Sequence, residues 1–426
     1  MLDFQKKLTN GFYALLSLPA TAMGFALSIQ ISALSWILTT QYKLDIHEVG
    51  FVWAAGPLAG IFGQVIVGLI SDNAWFWGGR RRPFVLIGGT IAAAMLLALP
   101  FFNEIGGFLG ISNIIIIATV VALTLDLAIN ISFNPTRSII ADVTPEGEAR
   151  TKGYTWMQTV SGFFGVLAYI IGATIGNYTL LYVGTIIVFF FSVVPMFFIT
   201  EPRSLQAADN SAEAEALETT GRKQSDVKAL MQIYFAHGFS WIGVQTMFVF
   251  IIAFIMDKMG LSAENSGPVI AYTFAILNTV GFLLPTLVLQ PLTKKIGTVK
   301  THTAAVATMG IAYLLISQFA TSPITLYMLI ALAGIGWASI VSLPFAIMTE
   351  KVAKEKTGLF MGIFNLSVVI PQLLVSAFVG LIIQSAPDKS IIFWISGVSL
   401  LISAALWFFV KDDSKGATVI KGGGGH

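Results

Sequence analysis

The sequence predicts an all-α polytopic membrane protein with twelve transmembrane helices in two six-helix halves. Three observations predict this fold class: the composition, the separation of the apolar residues into runs of membrane length, and the one-sided distribution of Lys and Arg. Of the 426 residues, 56% are hydrophobic and only 11% are charged, whereas about a quarter of the residues in an ordinary soluble domain are charged. The chain therefore has too little polar surface for a soluble protein of its length.

Apolar segments follow one another along the chain, each long enough to cross a hydrocarbon core of about 30 Å as a helix. We predict twelve of them, at 12–39, 48–71, 83–102, 112–138, 154–175, 179–200, 229–256, 266–292, 301–319, 323–349, 358–384 and 390–410. The long polar stretch 201–228 divides them six and six. We therefore expect an N-terminal six-helix bundle at 1–200, a cytoplasmic linker at 201–228, a C-terminal six-helix bundle at 229–411, and a cytoplasmic tail at 412–426 that ends in an expression-tag remnant.

Lys and Arg outside the segments lie almost entirely in connections on the side of the N-terminus. Only Lys43, Lys258 and Lys389 fall in connections on the opposite side. Positively charged short loops mark the cytoplasmic face, so we expect both termini to be cytoplasmic, with the protein in the plasma membrane, or the inner membrane of a bacterium. The net charge of +2 gives no reason to expect a nucleic-acid partner.

The two halves of the chain echo each other. The loop after the fourth segment reads ADVTPEGEARTKG, at 141–153, and the loop after the tenth reads TEKVAKEKTG, at 349–358. A weak repeat at about half the chain length, with six spans in each half, is typical of a parallel duplication. Transporters of this kind bind substrate near the membrane midplane between the halves and expose it alternately to the two sides.

A carboxylate, Asp126, lies near the middle of the fourth predicted segment. An ionisable side chain at this depth costs about 2.5 to 3.5 kcal/mol to insert, so it normally faces a polar cavity. The helical period places Asn130 and Arg137 on the same face. We predict that this face lines a transport path and that Asp126 carries a proton and bonds substrate hydroxyls. The alternative is a structural role, in which Asp126 bonds only neighbouring polar groups.

The loop between the second and third segments reads GLISDNAWFWGGRRRPF, at 68–84. Charge-assisted bonds between its carboxylate and its guanidinium groups are able to latch one conformation at the cytoplasmic surface. The residues predicted for this cytoplasmic gate are Asp72, Arg80, Arg81, Arg82, Arg137 and Asp142. The alternatives are that the loop arginines only set the topology and that Arg137 only extends to the interface.

These stretches resemble the major facilitator superfamily. The 68–84 loop resembles its signature loop, in the SD…GRRRPF form of plant sucrose/proton symporters and their bacterial and animal disaccharide-transporter relatives, of the glycoside-pentoside-hexuronide:cation symporter type. LDLAINISFNPTRSIIAD, at 125–142, is similar to their fourth-helix motif, VLAYIIG, at 166–172, to their fifth helix, and GWASIVSLPFAIM, at 336–348, to a tenth-helix motif.

The resemblance implies the major facilitator fold and proton-coupled uptake of a disaccharide such as sucrose or maltose. It assigns the protonation site and a sugar contact to Asp126, and an important arginine to Arg137. The sequence departs from the plant proteins where Gly165 stands in place of their fifth-helix asparagine, and near Ser28 and Gln30 in the first helix. These departures leave the identity of the sugar open.

Sugar sites need amide and hydroxyl groups together with aromatic faces. Besides Asp126, the candidates at membrane depth are Gln30, Gln64, Asn130, Gln158, Trp241, Gln245, Asn278, Trp337, Asn365 and Gln372. For each of them, interhelical hydrogen bonding or anchoring at the membrane interface is the alternative. His237 and His302 lie near predicted cytoplasmic helix ends, and we expect them to be interfacial.

The sequence offers no motif for an enzyme. It has no cysteine, which excludes a disulfide framework and a thiolate metal site, and it has no phosphate loop, nucleophile elbow or helical His-Glu-x-x-His. We expect a monomer whose partners are a sugar, a proton as coupling ion and the lipid bilayer, with no cofactor and no metal. The alternatives are a proton-coupled antiporter that exports amphipathic compounds, a non-transporting sugar sensor, and coupling to sodium.

Overall fold

Long helices make up nearly all of the computed structural model, which describes residues 3–60, 70, 75–145, 148–202, 226–352 and 357–412. Within these residues, eleven helices are long and apolar enough to cross a membrane. The only extended pairing in the same residues is an isolated bridge between Phe76 and Gly79. The predicted fold class, an all-α polytopic membrane protein, is confirmed.

Six helices are labelled in the described part of the first half. They are α1 (Asn10–Thr40), α2 (Ile46–Trp53), α3 (Arg82–Ala98), α4 (Ile114–Val143), α5 (Glu148–Thr174) and α6 (Asn177–Phe198). The second predicted segment, 48–71, is described only as far as residue 60 and at residue 70. A short helix, Asp3–Lys6, precedes α1, and a 3-10 turn continues α3 into a further short helix, Phe102–Leu109.

Six more helices are labelled in the described part of the second half. They are α7 (Val227–Met259), α8 (Ala263–Leu284), α9 (Thr298–Phe319), α10 (Pro323–Glu350), α11 (Thr357–Leu374) and α12 (Ile391–Phe408). A π-helical turn, Pro285–Leu289, continues α8 into Gln290–Ile296, and a second one, Val375–Val379, continues α11 into Gly380–Ser385. Most of the predicted linker and of the tail lies outside the described residues, so the predicted domain boundaries stay predictions.

Short polar side chains mark where several helices begin. Thr9, Asp226 and Ser262 each accept a hydrogen bond from a backbone N–H in the first turn of α1, α7 and α8. At the start of α2, Asp45 and Glu48 form a reciprocal capping box. These caps satisfy backbone donors that have no partner inside the helix. They therefore fix the residue at which each helix begins.

Helix contacts are dense within each half and fewer between the halves. In the first half, α1 packs against α5 and α6, and α3 packs against α4 and α6. In the second half, α7 packs against α11 and α12, and α9 packs against α10 and α12. Between the halves, α8 contacts α1 and α5, and α2 contacts α7 and the segment 375–385. This arrangement leaves room for a cavity along the boundary.

Two adjacent glycines allow the close approach of α3 to its neighbours. A Cβ atom on Gly88 would overlap the side chain of Ser132 on α4, and one on Gly89 would overlap the side chain of Ser192 on α6. Small residues at helix contacts are the usual means of close packing in a membrane, where no hydrophobic effect draws helices together. Because Gly88 and Gly89 have no side chain, α3 packs closely against both α4 and α6.

Candidate functional site

A cavity of about 410 Å³ lies between the two halves. Side chains of α1, α2, α5, α7, α8, α10 and α11 line it, and none of the described lining residues is charged. Six of the predicted substrate-binding residues are among them: Gln158, Trp241, Gln245, Asn278, Trp337 and Gln372. The cavity therefore collects amide and indole groups that are far apart in the sequence.

Three aromatic side chains from the second half form one wall of the cavity. The ring centroids of Trp241 and Trp337 are 6.3 Å apart at an interplanar angle of 80°, and Phe248 lies 5.2 Å from Trp337. The indole Nε1 of Trp337 donates a hydrogen bond of 3.3 Å to Oδ1 of Asn278. Edge-to-face and tilted ring contacts of this kind are favourable, so this wall has a defined shape.

Hydrogen bonds link several amide side chains at the wall of the cavity. Nε2 of Gln372 donates to Oε1 of Gln245 at 3.2 Å, and Nε2 of Gln245 donates to Oγ of Ser376 at 3.4 Å. Nδ2 of Asn278 donates to the backbone oxygen of Phe274 at 2.9 Å. Each amide has two donors and two acceptor lone pairs, so capacity remains for a polar ligand.

A buried histidine orients one of the cavity tryptophans. His237 is 2% exposed and accepts at Nε2 a hydrogen bond of 2.9 Å from Nε1 of Trp241. Its ring is stacked on Phe364, with centroids 4.7 Å apart. His302 is also fully buried, with its Nδ1 atom 2.7 Å from Oγ of Ser339. Both histidines are thus enclosed by protein, His237 by Phe364 of α11 and His302 by Trp407 of α12, and their position at the membrane interface stays a prediction.

Asp126 lies inside the first half and is not among the described residues that line the cavity. Its Oδ2 atom accepts a hydrogen bond of 2.9 Å from Nε2 of Gln30 on α1, and the two residues are 7% and 2% exposed. A Cβ atom on Gly56 would lie 3.2 Å from the same oxygen. In this conformation the carboxyl group of Asp126 therefore faces Gln30 and Gly56.

The remaining predicted substrate residues are dispersed. Nδ2 of Asn130 donates to the backbone oxygen of Asp126 at 2.8 Å, within α4. Asn365 on α11 is partly buried and is not among the described lining residues of the cavity, and Gln64 lies outside the described residues. The structure therefore brings together one set of candidates at the cavity and a second set around Asp126.

Several cavity residues are absent from the sequence-based candidates. Trp53, Tyr169 and Phe248 line the cavity, but an aromatic residue within an apolar segment does not reveal whether it faces lipid, a neighbouring helix or a cavity. One signal was available for Tyr169, because it lies in the stretch 166–172 that resembles the family's fifth helix. Val166, from the same stretch, also lines the cavity.

Four of the predicted gate residues, Arg80, Arg81, Arg82 and Asp142, lie together where α3 begins. Nε of Arg81 lies 3.0 Å from Oδ2 of Asp142, which joins the start of α3 to the end of α4. Glu201 accepts hydrogen bonds of 2.8 Å from the backbone N–H groups of Arg80, Arg81 and Arg82. Glu201 was not predicted, since a single glutamate after an apolar segment carries no distinctive pattern. Its carboxylate serves the free N–H groups at a helix start.

Arg137 makes different contacts, and Asp72 lies outside the described residues. The guanidinium carbon of Arg137 is 4.0 Å from the ring centroid of Phe133, and the hydroxyl of Tyr154 donates to the backbone oxygen of Arg137 at 3.3 Å. All of these described contacts of the gate residues join elements of the first half.

The two halves are joined at the end where α1 finishes and α12 begins, here called the far end. Oγ of Ser35 donates to the backbone oxygen of Val249 at 3.2 Å, and Nε1 of Trp36 donates to the backbone oxygen of Glu264 at 3.4 Å. Trp53, a cavity residue, donates from Nε1 to Oγ of Ser35 at 2.8 Å. The wall of the cavity is thus bonded directly to the far end.

A second set of contacts joins the halves further out at the far end. Nε2 of Gln384 donates to Oδ2 of Asp45 at 3.2 Å, and the backbone N–H of His47 donates to Oε1 of Gln384 at 3.0 Å. Gln384 therefore binds the first turn of α2 through both atoms of its amide group. The far end is closed by side chains and backbone from both halves.

Metal ligands are not clustered in the described part of the chain, where no group of three or more His, Cys, Asp or Glu residues is placed to hold an ion.

Comparison with known proteins identifies the family. The model of the Major Facilitator Superfamily matches residues 16–288 and 275–425. The sucrose transport protein SUC4 of Arabidopsis thaliana is 25% identical over 428 residues, which cover 84% of this chain and 81% of that protein. The sucrose transport protein SUT2 of Oryza sativa subsp. indica is 26% identical over 431 residues, which cover 84% of each.

A solved structure agrees with the fold. The crystal structure of a D-xylose-proton symporter superposes with a TM-score of 0.71 at 14% sequence identity, covering 96% of this chain and 99% of that chain. At this identity the likeness concerns the fold alone. Together with the family match over nearly the whole length, it shows that the chain is an integral membrane transporter, not an enzyme, and belongs to the Major Facilitator Superfamily.

Proposed function

We propose that the protein is a secondary-active symporter that takes up a sugar together with a proton by alternating access, and that the sugar is a disaccharide such as sucrose or maltose. The observation that carries this proposal is the cavity between the halves, whose described lining has amide and indole groups and no charge. A charged substrate buried there would lack a partner of opposite charge, at a high desolvation cost. A neutral substrate avoids this cost.

The chemistry of the lining suits a polyhydroxylated ring. Each sugar hydroxyl both donates and accepts, which matches the amides of Gln158, Gln245 and Gln372. The faces of Trp241 and Trp337 offer apolar surface for the C–H groups of a sugar ring. The volume of about 410 Å³ is in the range of about 300 to 1,000 Å³ typical of small-molecule sites. The names of the two plant relatives support the same substrate class.

In this proposal the proton is carried by Asp126. Its carboxyl group is buried, and its described side-chain hydrogen bond comes from the neutral amide of Gln30. A buried carboxylate without a cation is costly when ionised, and a proton removes that charge. The contact of Asp126 with a sugar hydroxyl then forms in another conformation of the cycle, because here the carboxyl group faces α1.

The proposed orientation follows the distribution of Lys and Arg, with both termini in the cytoplasm of the cell, or of a bacterium whose inner membrane holds the protein. The far end then faces outward, and its contacts close the cavity on that side. Uptake requires a second conformation in which these contacts are broken.

Transport by the purified protein in liposomes tests the function. Under an imposed inward proton gradient, we expect the wild-type protein to accumulate a labelled disaccharide from a panel of mono- and disaccharides. Asp126→Asn is expected to lower this accumulation by at least about tenfold while exchange of labelled for unlabelled sugar persists, because an amide cannot carry the proton. Full accumulation by the variant would contradict the role of Asp126, and no sugar uptake by the wild type would contradict the function.

One observation favours a second candidate, the export of amphipathic compounds in exchange for protons. Four aromatic residues line the cavity in the second half: Trp241, Phe248, Phe282 and Trp337. Inside-out vesicles distinguish the two functions, because an exporter accumulates its substrate there when the lumen is acidic. The same assays in sodium-free buffer test sodium coupling, and sugar binding without flux would indicate a sensor.

A further inference from the structure

We propose that Gln30 is a positioning residue that couples the protonation of Asp126 to the movement of α1. This inference rests on the proposed function, in which Asp126 carries the proton. In this proposal, α1 responds to whether the carboxyl group of Asp126 on α4 is protonated.

The amide group of Gln30 is half satisfied. Its Nε2 atom donates to Oδ2 of Asp126 at 2.9 Å, joining two helices through residues 96 positions apart in the sequence. Its Oε1 atom is buried and has no hydrogen-bond partner among the described residues. A buried acceptor without a partner is unfavourable, because it loses its hydrogen bonds to water and gains none in return. Oε1 of Gln30 is therefore a free acceptor beside the carboxyl group of Asp126. An ionised carboxylate has no proton and cannot donate a hydrogen bond to it.

Protonation of Asp126 supplies the missing donor. An ionised carboxylate only accepts hydrogen bonds, so it bonds only the N–H of Gln30, whereas a protonated carboxyl group also has an O–H donor. Rotation of the carboxyl group directs this O–H to Oε1 of Gln30 while the N–H bond to the other oxygen is kept. The proton stays on Asp126 throughout. The pair therefore has one hydrogen bond when ionised and two when protonated.

The neighbours of Gln30 on α1 connect this pair to the transport path. Ser28 and Ile31 line the cavity, and Ser35 and Trp36 bond the second half at the far end. Within the described residues, no charged side chain forms a hydrogen bond or ion pair with Asp126. A change at Asp126 is thus transmitted mainly through Gln30, to the helix that lines the cavity and bonds the second half at the far end.

The first test is Gln30→Leu in the full-length protein in liposomes. Leucine has a similar size but neither donates nor accepts. We expect proton-driven accumulation of the disaccharide to fall by at least tenfold, while sugar exchange without a gradient keeps its half-saturation within threefold of wild type. The uptake rate should also lose its dependence on external pH. Persistent exchange shows that the variant is folded. The matched control is Ser17→Ala, since Ser17 is buried on the same helix and its described hydrogen bonds, with Tyr13 and Thr21, lie within that helix.

The second test moves the carboxyl group across the pair. Gln30→Glu combined with Asp126→Asn places the acid on α1 and the amide on α4, so the two-bond arrangement is still available. We expect at least tenfold more proton-driven accumulation than with Asp126→Asn alone. The proposal is overturned if Gln30→Leu accumulates sugar within twofold of wild type, or if the exchanged pair does no better than Asp126→Asn. Failure of the proposed function is distinct, since the wild type itself would then show no proton-driven uptake.

Discussion

At the scale of single residues, the bond from Trp241 to His237 shows how a residue outside the cavity controls a surface inside it. His237 is held by stacking on Phe364, and its Nε2 atom accepts from the indole N–H of Trp241. This requires the proton of the imidazole to be on Nδ1 when the ring is neutral. The orientation of one wall of the cavity therefore depends on a histidine that need not contact the substrate.

His237→Phe is expected to weaken sugar binding. Phenylalanine preserves an aromatic ring against Phe364 but removes the acceptor for the N–H of Trp241. An unsatisfied buried donor costs about 1–3 kcal/mol, so the indole of Trp241 should turn away to find another partner. We therefore expect the half-saturation concentration for sugar exchange to rise about tenfold. The measurement is exchange in liposomes as a function of sugar concentration.

Trp241→Phe provides the control for this prediction. In Trp241→Phe there is no indole N–H from which His237 could accept a hydrogen bond. Adding His237→Phe to this variant should therefore change the half-saturation for sugar exchange only a little. Independent, additive effects of the two changes would contradict the positioning role and point to a separate function of His237.

Asp126 marks the limit of sequence reasoning at this scale. The cost of a carboxylate in an apolar segment was enough to single it out. Its partner was not predictable, because the period of one helix identifies a face of that helix and not the neighbour that meets it. Gln30 itself was a candidate for its amide group alone, and only the structure shows that it bonds Asp126 instead of lining the cavity.

At the scale of helices, the sequence predicted most bounds to within a few residues. Apolar runs indicate which residues span the membrane, and caps such as Asp226 and Ser262 determine where a helix begins. The π-helical turns after Leu284 and Leu374 were not predicted. A proline such as Pro285 shows where a backbone N–H is missing, but packing against neighbouring helices decides whether the helix bends, breaks or widens there.

Two ion pairs of the structure should differ sharply in their contribution to stability. The side chains of Arg81 and Asp142 are 8% and 10% exposed, whereas those of Lys258 and Asp388 are 29% and 57% exposed. Breaking a buried pair leaves an uncompensated charge and costs about 3–5 kcal/mol, while an exposed pair contributes about 0–1 kcal/mol. Arg81→Gln should therefore lower the melting temperature in detergent by several degrees, and Lys258→Gln should hardly change it.

A double variant separates charge burial from lost packing. Arg81→Gln combined with Asp142→Asn removes both charges, so it should recover part of the stability lost in Arg81→Gln. Equal melting temperatures for the single and double variants would show that the loss did not come from an unpaired Asp142.

The exposed pair offers a contrast. The backbone N–H of Ser390, aided by Lys258, lowers the pKa of Asp388, so this carboxylate stays ionised in water with or without its partner.

At the scale of the whole molecule, the six-plus-six organisation was visible in the sequence, but the closed far end was not. Charge distribution and the loop repeat reflect topology, which is the same in every conformation of a transporter. The conformations differ in which contacts between the halves are made, and their free energies differ by only a few kcal/mol. Contacts such as those of Gln384 with Asp45 and His47 therefore require a structure.

Cross-linking at the far end should stop transport without abolishing binding. The chain has no cysteine, so Asp45→Cys combined with Gln384→Cys introduces a single pair of thiols at contacting positions. Treatment with a short, reducible bifunctional thiol reagent is expected to reduce sugar flux in liposomes to background, and dithiothreitol to restore it. Sugar binding to the cross-linked protein in detergent should persist, since the far-end contacts already accompany the formed cavity.

The corresponding control is each single cysteine variant treated with the same reagent. Unchanged flux in the cross-linked double variant would contradict alternate opening of the far end. Loss of flux in a treated single variant would show that modification alone disturbs this surface.

The bonds that Ser35 and Trp36 make across the far end impose unequal constraints on the two halves. Their acceptors are the backbone oxygens of Val249 and Glu264, and a backbone oxygen is kept whatever residue occupies the position. Replacement of Val249 or Glu264 during evolution retains the acceptor, whereas replacement of Ser35 or Trp36 removes the donor. At this contact, the second half therefore tolerates replacement of its residues. On α1, by contrast, the identity of the side chains at positions 35 and 36 is constrained.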